Sequence, residues 1–220
     1  SSEGAWAAWL GRWTAEEARH GMVIRDYLLA TRSVDPRALE DMRMTHMQEG
    51  FRAINPGFLA GLSYVSFQEL ATRVSHRNTG AATGDAVAEQ LMARVALDEN
   101  LHMLFYRNIM SAAFEFAPDA SMVAVVEVAK NFAMPGAEVD GFMRRSLAIA
   151  LAGIYDLRIH HDEVLAPVLR AWNVWDRTDF GPVGEQARDE LAAFMVGLNH
   201  EAEVFEEKRA ARAERAAARA

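Results

Sequence analysis

Two short segments, EARH at 17–20 and ENLH at 99–102, each set a glutamate and a histidine three residues apart inside an otherwise apolar helical stripe. Trp6, Leu10, Trp13, Glu17, His20, Ile24 and Tyr27 follow an alternating spacing of four and three, which places all seven on one side of a helix. Leu91, Val95, Glu99, His102, Tyr106 and Ile109 repeat that pattern. Between them, Phe58, Leu62, Val65, Glu69, Thr72 and His76 form a third stripe with a single inward glutamate. A buried carboxylate without a partner either destabilises the fold or takes up a proton. Three of them converging therefore require compensation, and a pair of divalent cations supplies it.

The surrounding chain reads as all-α. Helical periodicity runs throughout, and short Gly, Pro, Asn and Asp clusters interrupt it at Val34-Asp35-Pro36, Asn55-Pro56-Gly57, Asn78-Thr79-Gly80, Pro118-Asp119, Met134-Pro135-Gly136 and Gly181-Pro182. Long helices are predicted near 4–31, 57–77, 84–115 and 184–215, and shorter ones near 36–50, 119–132, 137–154 and 160–172. With 220 residues, 51% of them hydrophobic, the chain suffices for one domain over 1–220. The Ala/Arg/Glu-rich stretch 208–220 reads as a solvated, fraying helix end.

Composition narrows the chemistry. There is no cysteine, so a metal site must be built from Asp, Glu and His, a ligand set that suits iron or manganese. The net charge of -8 argues against a nucleic-acid surface. No apolar run reaches the length of a membrane span, and the expected setting is soluble and cytoplasmic. The chain opens SSEGAW, without an initiator methionine, and a start further upstream is expected.

One Glu-x-x-His alone is commonly a surface ion pair or a satisfied buried histidine. Two copies on apolar stripes, with an inward Glu between them in chain order, favour metal. In ferritin-like di-iron bundles, two helices each supply a Glu-x-x-His and two others each supply a Glu. This sequence contains both pairs and one of the two lone glutamates. Glu16 lies about 100° round the helix from Glu17 and is expected to face elsewhere, in a structural role. His160 and His161, beside Asp162 and Glu163, read as a solvated first turn, and His46, His76 and His200 as structural or exposed. Trp6, Trp9 and Trp13 read as core or interface packing, with electron transfer beside a metal as the second possibility.

RWTAEEARHG (12–21), DYLLATRSVDP (26–36), YVSFQELATRVSHRNTG (64–80), LDENLH (97–102), FAMPG (132–136) and GIYDLRIHHDEVLAPVLRAWNV (153–174) occur in this order over nearly the whole chain. In these motifs the sequence resembles the soluble acyl-acyl carrier protein desaturases, within them the actinobacterial branch. The resemblance implies a ferritin-like bundle with two non-haem iron ions cycling between Fe2+ and Fe3+. It further implies O2 as co-substrate, a ferredoxin-type electron donor, acyl carrier protein as the carrier of the fatty acyl substrate, and a homodimer. By the same resemblance Glu17 and Glu99 match carboxylates bridging the irons, and His20, Glu69 and His102 match terminal ligands, the last two on one iron. Asp98 matches an acid that orients a ligand histidine, and Thr72 a hydroxyl implicated in proton delivery.

In that family a further helix, preceding the first Glu-x-x-His, carries a fourth carboxylate, so the bundle is expected to be N-terminally incomplete. Glu3 cannot replace it, lying roughly 21 Å from Glu17 along a helix axis. The ion beside His20 is thus expected to bind more weakly, or to take water or an external anion. The segment between about Glu49 and Gly61 also looks shorter than in relatives. Arg144, Arg145 and the tail from Lys208 are candidate contacts for an acidic carrier protein. Two other readings are a desaturase-like scaffold or partner subunit without activity, and another ferritin-like di-iron oxidase or iron store.

Overall fold

The structure is a computed structural model that describes residues 4–50, 57–137 and 139–218. Among the described residues the regular structure is entirely helical: α1 (Ala5–Ala30), α2 (Pro36–Glu49), α3 (Phe58–Thr83), α4 (Ala86–Phe116), α5 (Pro118–Lys130), α6 (Phe142–Leu151), α7 (Leu157–Ile159), α8 (Ala166–Ala171) and α9 (Pro182–Ala217). A π-helical stretch, His160–Leu165, joins α7 to α8.

Local chemistry sets several starts. Asp35 accepts a hydrogen bond from the Ala38 N–H at 2.7 Å, and Pro36 opens α2, a position where the missing N–H costs nothing. Asp85 accepts from the N–H groups of Val87 and Ala88 and so begins α4. Just before it, Gly84 takes φ +66°, a left-handed conformation that ends α3 and lets the chain reverse. Asp156 does double duty: one oxygen accepts from the Ile159 N–H at 3.0 Å, and the other pairs with Arg209 at 2.8 Å.

Arg209 also donates to the Ala150 carbonyl, so the first turn of the supposed solvated tail is pinned to the body of the protein. The last two residues, 219–220, lie outside the described residues. So do Asn55 and Pro56 of one predicted turn and most of the segment between Glu49 and Gly61. The larger surprise is Asn78-Thr79-Gly80, which does not end α3; the helix continues to Thr83. Gly80 is there for packing. A Cβ on it would stand 3.0 Å from Met92 Cβ and 3.1 Å from the Glu89 backbone, so the missing side chain lets α3 and α4 approach closely. Gly80→Ala gains helix propensity of about 1 kcal/mol and forces the two helices apart at a cost of about 1–3 kcal/mol. Net destabilisation, seen as a lower urea midpoint, is the expected result.

The core lies where α3, α4, α5, α8, α9 and the π-helical stretch meet. Phe67, Met110, Phe114, Met122, Leu165, Leu169, Trp172 and Leu191 are all buried there. Helix α1 is different, since His20 is its one fully buried residue. It lies against α4, with Trp9 stacked on Phe105 at 3.8 Å between ring centroids. That placement sets the two Glu-x-x-His pairs face to face.

Candidate metal centre

Glu17, Glu69, Glu99 and His102 converge so that one ligand atom from each lies within 4.8 Å of the others. Three helices deliver them, as the stripes predicted: Glu17 from α1, Glu69 from α3, Glu99 and His102 from α4. Glu69, Glu99 and His102 are buried, while the Glu17 side chain keeps 38% of its exposure. His102 Nδ1 faces Glu17 Oε1 at 3.1 Å, Glu69 Oε2 at 3.3 Å and Glu99 Oε2 at 3.4 Å. His20 Nδ1 faces Glu99 Oε1 at 3.4 Å and Glu17 Oε1 at 3.8 Å.

The remaining ring nitrogens point away from the cluster, each to an acid on the opposite helix. His20 Nε2 meets Asp98 Oδ2 at 3.2 Å, and His102 Nε2 meets Glu16 Oε2 at 2.9 Å. Arg19 donates to Asp98 at 2.8 Å, and Arg12 to Glu16 at 3.0 Å. The acid before each inward glutamate therefore orients the histidine of the other helix. Asp98 thus lies against His20. Glu16 does not take a separate structural role: it leans across the α1–α4 seam to His102. The adjacent acids in EEARH and DENLH carried this signal, legible only once the two segments are overlaid.

Two further groups reach the cluster. Trp13 Nε1 donates to Glu69 Oε1 at 3.1 Å. His76, expected to be structural or exposed, is half-buried with Nε2 3.4 Å from Glu99 Oε1. Thr72 lies half-buried one turn after Glu69, its hydroxyl donating to the carbonyls of Gln68 and Glu69. His160 is not solvated either: it is buried, accepts from or donates to Tyr155 Oη at 2.8 Å, and stacks on Phe132. Burial pushes its imidazole down to about 4, which suits a neutral structural ring remote from the cluster's chemistry.

The donor set fits a pair of metal ions. Three buried polar atoms, Glu17 Oε1, His20 Nδ1 and Glu99 Oε2, have no hydrogen-bond partner, and all three face the cluster. Contacts of 3.3 and 3.4 Å between these nitrogens and oxygens are long for N–H···O bonds. Glu17, Glu69, Glu99 and His102, with His20 beside them, are the residues that would hold metal here.

Without metal, protons take over the charge balance. Burial pushes Glu69 up to about 8, with Glu99 and Glu17 adding to it. His102 is raised to about 12: burial opposes this, and Glu17, Glu69, Glu99 and Glu16 overcome it. Glu99 moves the other way, since His102, His20 and His76 outweigh its burial and hold it well below the usual carboxylate range.

At pH 7 the metal-free pair thus carries protons on both Glu69 and His102, and an ion must displace them. Loading cobalt(II) in weak buffer at pH 7 is expected to release more than one proton per chain, read with an indicator dye, and affinity should climb with pH through about 8. The sign for stability is opposite. Both pKa values sit above the unfolded ones, so Glu69 contributes fully below about 4.5 and its contribution is lost by about 8. That of His102 is full below about 6.5 and lost only through about 12. Replacing either outer acid, by Asp98→Asn or Glu16→Gln, should weaken metal binding about 10- to 100-fold without unfolding the chain, as measured by competition with a chelator.

A family model described as fatty acid desaturase matches residues 1–220. A Mycobacterium tuberculosis protein named acyl-[acyl-carrier-protein] desaturase DesA1 is 48% identical over 215 residues, covering 93% of this chain and 63% of its own. The chloroplastic stearoyl-[acyl-carrier-protein] 9-desaturase 5 of Arabidopsis thaliana is 32% identical over 224 residues, covering 96% of this chain and 55% of its own. The chain therefore spans less than two thirds of the length of these relatives. Among solved structures, the acyl-ACP desaturase DesA2 of Mycobacterium tuberculosis H37Rv superposes with a TM-score of 0.69 at 28% identity, over 83% of this chain and 69% of that one.

Proposed function

The chain belongs to the fatty acid desaturase family, and from that premise we propose that its ferritin-like bundle is the metal-bearing part of an acyl-[acyl carrier protein] desaturase. The observation that carries this reading is the convergence of both Glu-x-x-His pairs and Glu69 on one space lined by unpartnered ligand atoms. Two iron ions held there would supply the reduction of O2 coupled to removal of two hydrogens from adjacent methylenes. With two electrons from a ferredoxin-type donor and two protons, the products are a cis alkene and two waters.

The chain's own residues set the conditions for that chemistry. Asp98 and Glu16 hold the two imidazoles with Nδ1 turned inward. Trp13 fixes one oxygen of Glu69. Trp9, Phe105 and Tyr106 pack edge-on or stacked beside His102 and keep water from that side. Thr72 is the candidate proton carrier: its hydroxyl proton is parked on its own helix backbone, and a single side-chain rotation frees it.

Acyl carrier protein is the proposed substrate carrier. Arg144 and Arg145, both exposed on α6, are its candidate contacts, with the segment from Lys208 as the second. A cytoplasmic homodimer is the proposed setting. No helix among the described residues is long and apolar enough to cross a membrane.

The test is turnover. The chain loaded anaerobically with iron(II) is given a saturated acyl carrier protein, ferredoxin, its reductase and O2, and the acyl chain is weighed by mass spectrometry. A product lighter by two hydrogens supports the reading. Full iron loading without any such product would favour instead a non-catalytic desaturase-like partner, a reading to which the half-open Glu17 lends weight.

A further inference from the structure

Nothing in α6 is buried, and none of its residues joins the core or the half-buried side chains packed around the core. Met143 is 78% exposed and Leu147 49%. Phe142, Ser146 and Ala150, four residues apart and therefore on one side, are half-buried and form its seat. Glycines in the left-handed conformation stand at both ends, Gly141 with φ +78° before the first residue and Gly153 with φ +71° after the last turn. Each can absorb a change of backbone direction that a residue with a Cβ resists.

Polar contacts at the two flanks hold this helix down. Arg145 Nη1 lies 2.9 Å from Met42 Sδ of α2, a helix that itself has no buried residue. At the other end a single nitrogen of α9, Arg209 Nη1, donates to the Ala150 carbonyl at 3.2 Å and to Asp156 Oδ2 at 2.8 Å. These acceptors lie on opposite sides of Gly153. Beyond the glycine the chain is fixed: Asn78 of α3 donates to the Ile154 carbonyl at 2.9 Å, and Asp156 is buried and caps α7. Before it, α6 has only its half-buried seat. The guanidinium thus straddles the pivot and ties the loose side to the fixed one. Phe205, one turn earlier on α9, places its ring 5.9 Å from the guanidinium carbon and steadies it.

We propose that α6 is a movable flap and that the tail of α9 is its strap, with Arg209 as the clasp. The stretch that reads in sequence as a fraying end then has a task. Raising the flap uncovers Phe142, Ser146 and Ala150 beside Met143 and Leu147, which are exposed already, so the clasp sets how much apolar surface this corner offers. Little opposes the motion apart from the clasp, because no core side chain leaves its place. A helix of 10 residues freed from its seat is marginal in water, so the raised flap also frays. None of these residues belongs to the metal cluster, and the inference stands or falls apart from it.

The chain has no cysteine, so spin labels can be placed at chosen sites. Labels on Met143→Cys and Val196→Cys, both exposed positions, report the distance from α6 to α9 by pulsed dipolar EPR. With Arg209 intact, one narrow distance population is expected. Arg209→Gln should add a second, broader population of roughly a tenth or more. Asp156→Asn should do the same, since asparagine still caps α7 but no longer meets the guanidinium as a charge. Amide hydrogens over 145–151 should exchange about tenfold faster or more in both variants, the worth of a hydrogen bond between charged groups. Labels on Val123→Cys and Val196→Cys, across α5 and α9, should keep one distance throughout.

Unchanged distances and unchanged exchange at α6 in both variants would overturn the proposal. Broadening of the α5–α9 pair alongside would overturn it too, because Arg209 would then be holding the bundle and not the flap. Two populations of equal size in the variants and in the protein with Arg209 intact would remove the clasp.

Discussion

Glu99→Ala is expected to leave the chain unable to hold either ion at concentrations that saturate the wild type. Its two oxygens divide the site between them. Oε2 faces His102, and Oε1 faces His20 and His76. No other carboxylate spans both halves from a buried position, since of the histidines Glu69 faces His102 only, and Glu17 is half-open. The loss should exceed the 10- to 100-fold effect of an outer partner, because a charged ligand disappears from both ions at once. Equilibrium dialysis against cobalt(II) measures it, and retention of two ions would show that Glu99 does not bridge.

The metal-free protein has its own signature. Glu99 is held below the usual carboxylate range, so it stabilises the fold above pH 4.5 and that contribution is lost as the solution is acidified. Its removal also takes away a charge that helps to hold Glu69 protonated. The variant should therefore show a weaker fall in stability between pH 4.5 and 8 than the wild type does from Glu69.

The largest effect on folding is expected at Trp172. Its side chain is 2% exposed and packs edge-on to Phe67 at 5.4 Å, with Phe114 at 5.9 Å. Its indole N–H donates to the Arg107 carbonyl at 2.9 Å, tying the end of α8 to the middle of α4. Trp172→Ala leaves a cavity between α3, α4 and the end of α8 and removes one hydrogen bond to the Arg107 carbonyl, at a cost of about 3–5 kcal/mol. In a chain of this size that lowers the thermal midpoint by roughly 6–20 °C. Trp172→Phe should recover much of the packing but not the hydrogen bond. A thermal midpoint unchanged in Trp172→Ala would mean that the core closes over the gap without cost.

The stripes were readable because a helix repeats its faces every three or four residues. That arithmetic placed Glu17, Glu69, Glu99 and His102 together, and with them His20, whose free nitrogen faces the same carboxylates. What it could not give was contact across a seam. Glu16 sits off the stripe on its own helix, yet a long side chain beside a close neighbour covers that angle, and it reaches His102. His76 is on the stripe, and its reading as structural or exposed overlooked its reach to Glu99; separately, the helix expected over 57–77 runs on to Thr83. Gly80 explains that misreading. In sequence a glycine punctuates, while here it admits the neighbouring helix. The π-helical stretch at His160–Leu165 carried no signal in the periodicity and changes the direction of His160 from solvent to core.

The scarcity of burial along α1 has a thermodynamic corollary. Beside the ring contacts of Trp6, Trp9 and Trp13 with Phe58, Phe105 and Tyr106, this helix is fastened to α3 and α4 by polar contacts at the cluster: Trp13 on Glu69, His20 and Arg19 on Asp98, and Glu16 on His102. Docking of α1 and metal loading are then a single linked equilibrium. An ion present at a hundred times its dissociation constant adds about 2.7 kcal/mol to the docked state, and a chelator withdraws it. The amide hydrogens of α1 should exchange with solvent faster in the stripped protein than in the loaded one, while those of α5 and α9, which carry none of the cluster's residues, hardly notice. On the proposed reading, a bound metal would act as a latch on the α1 helix.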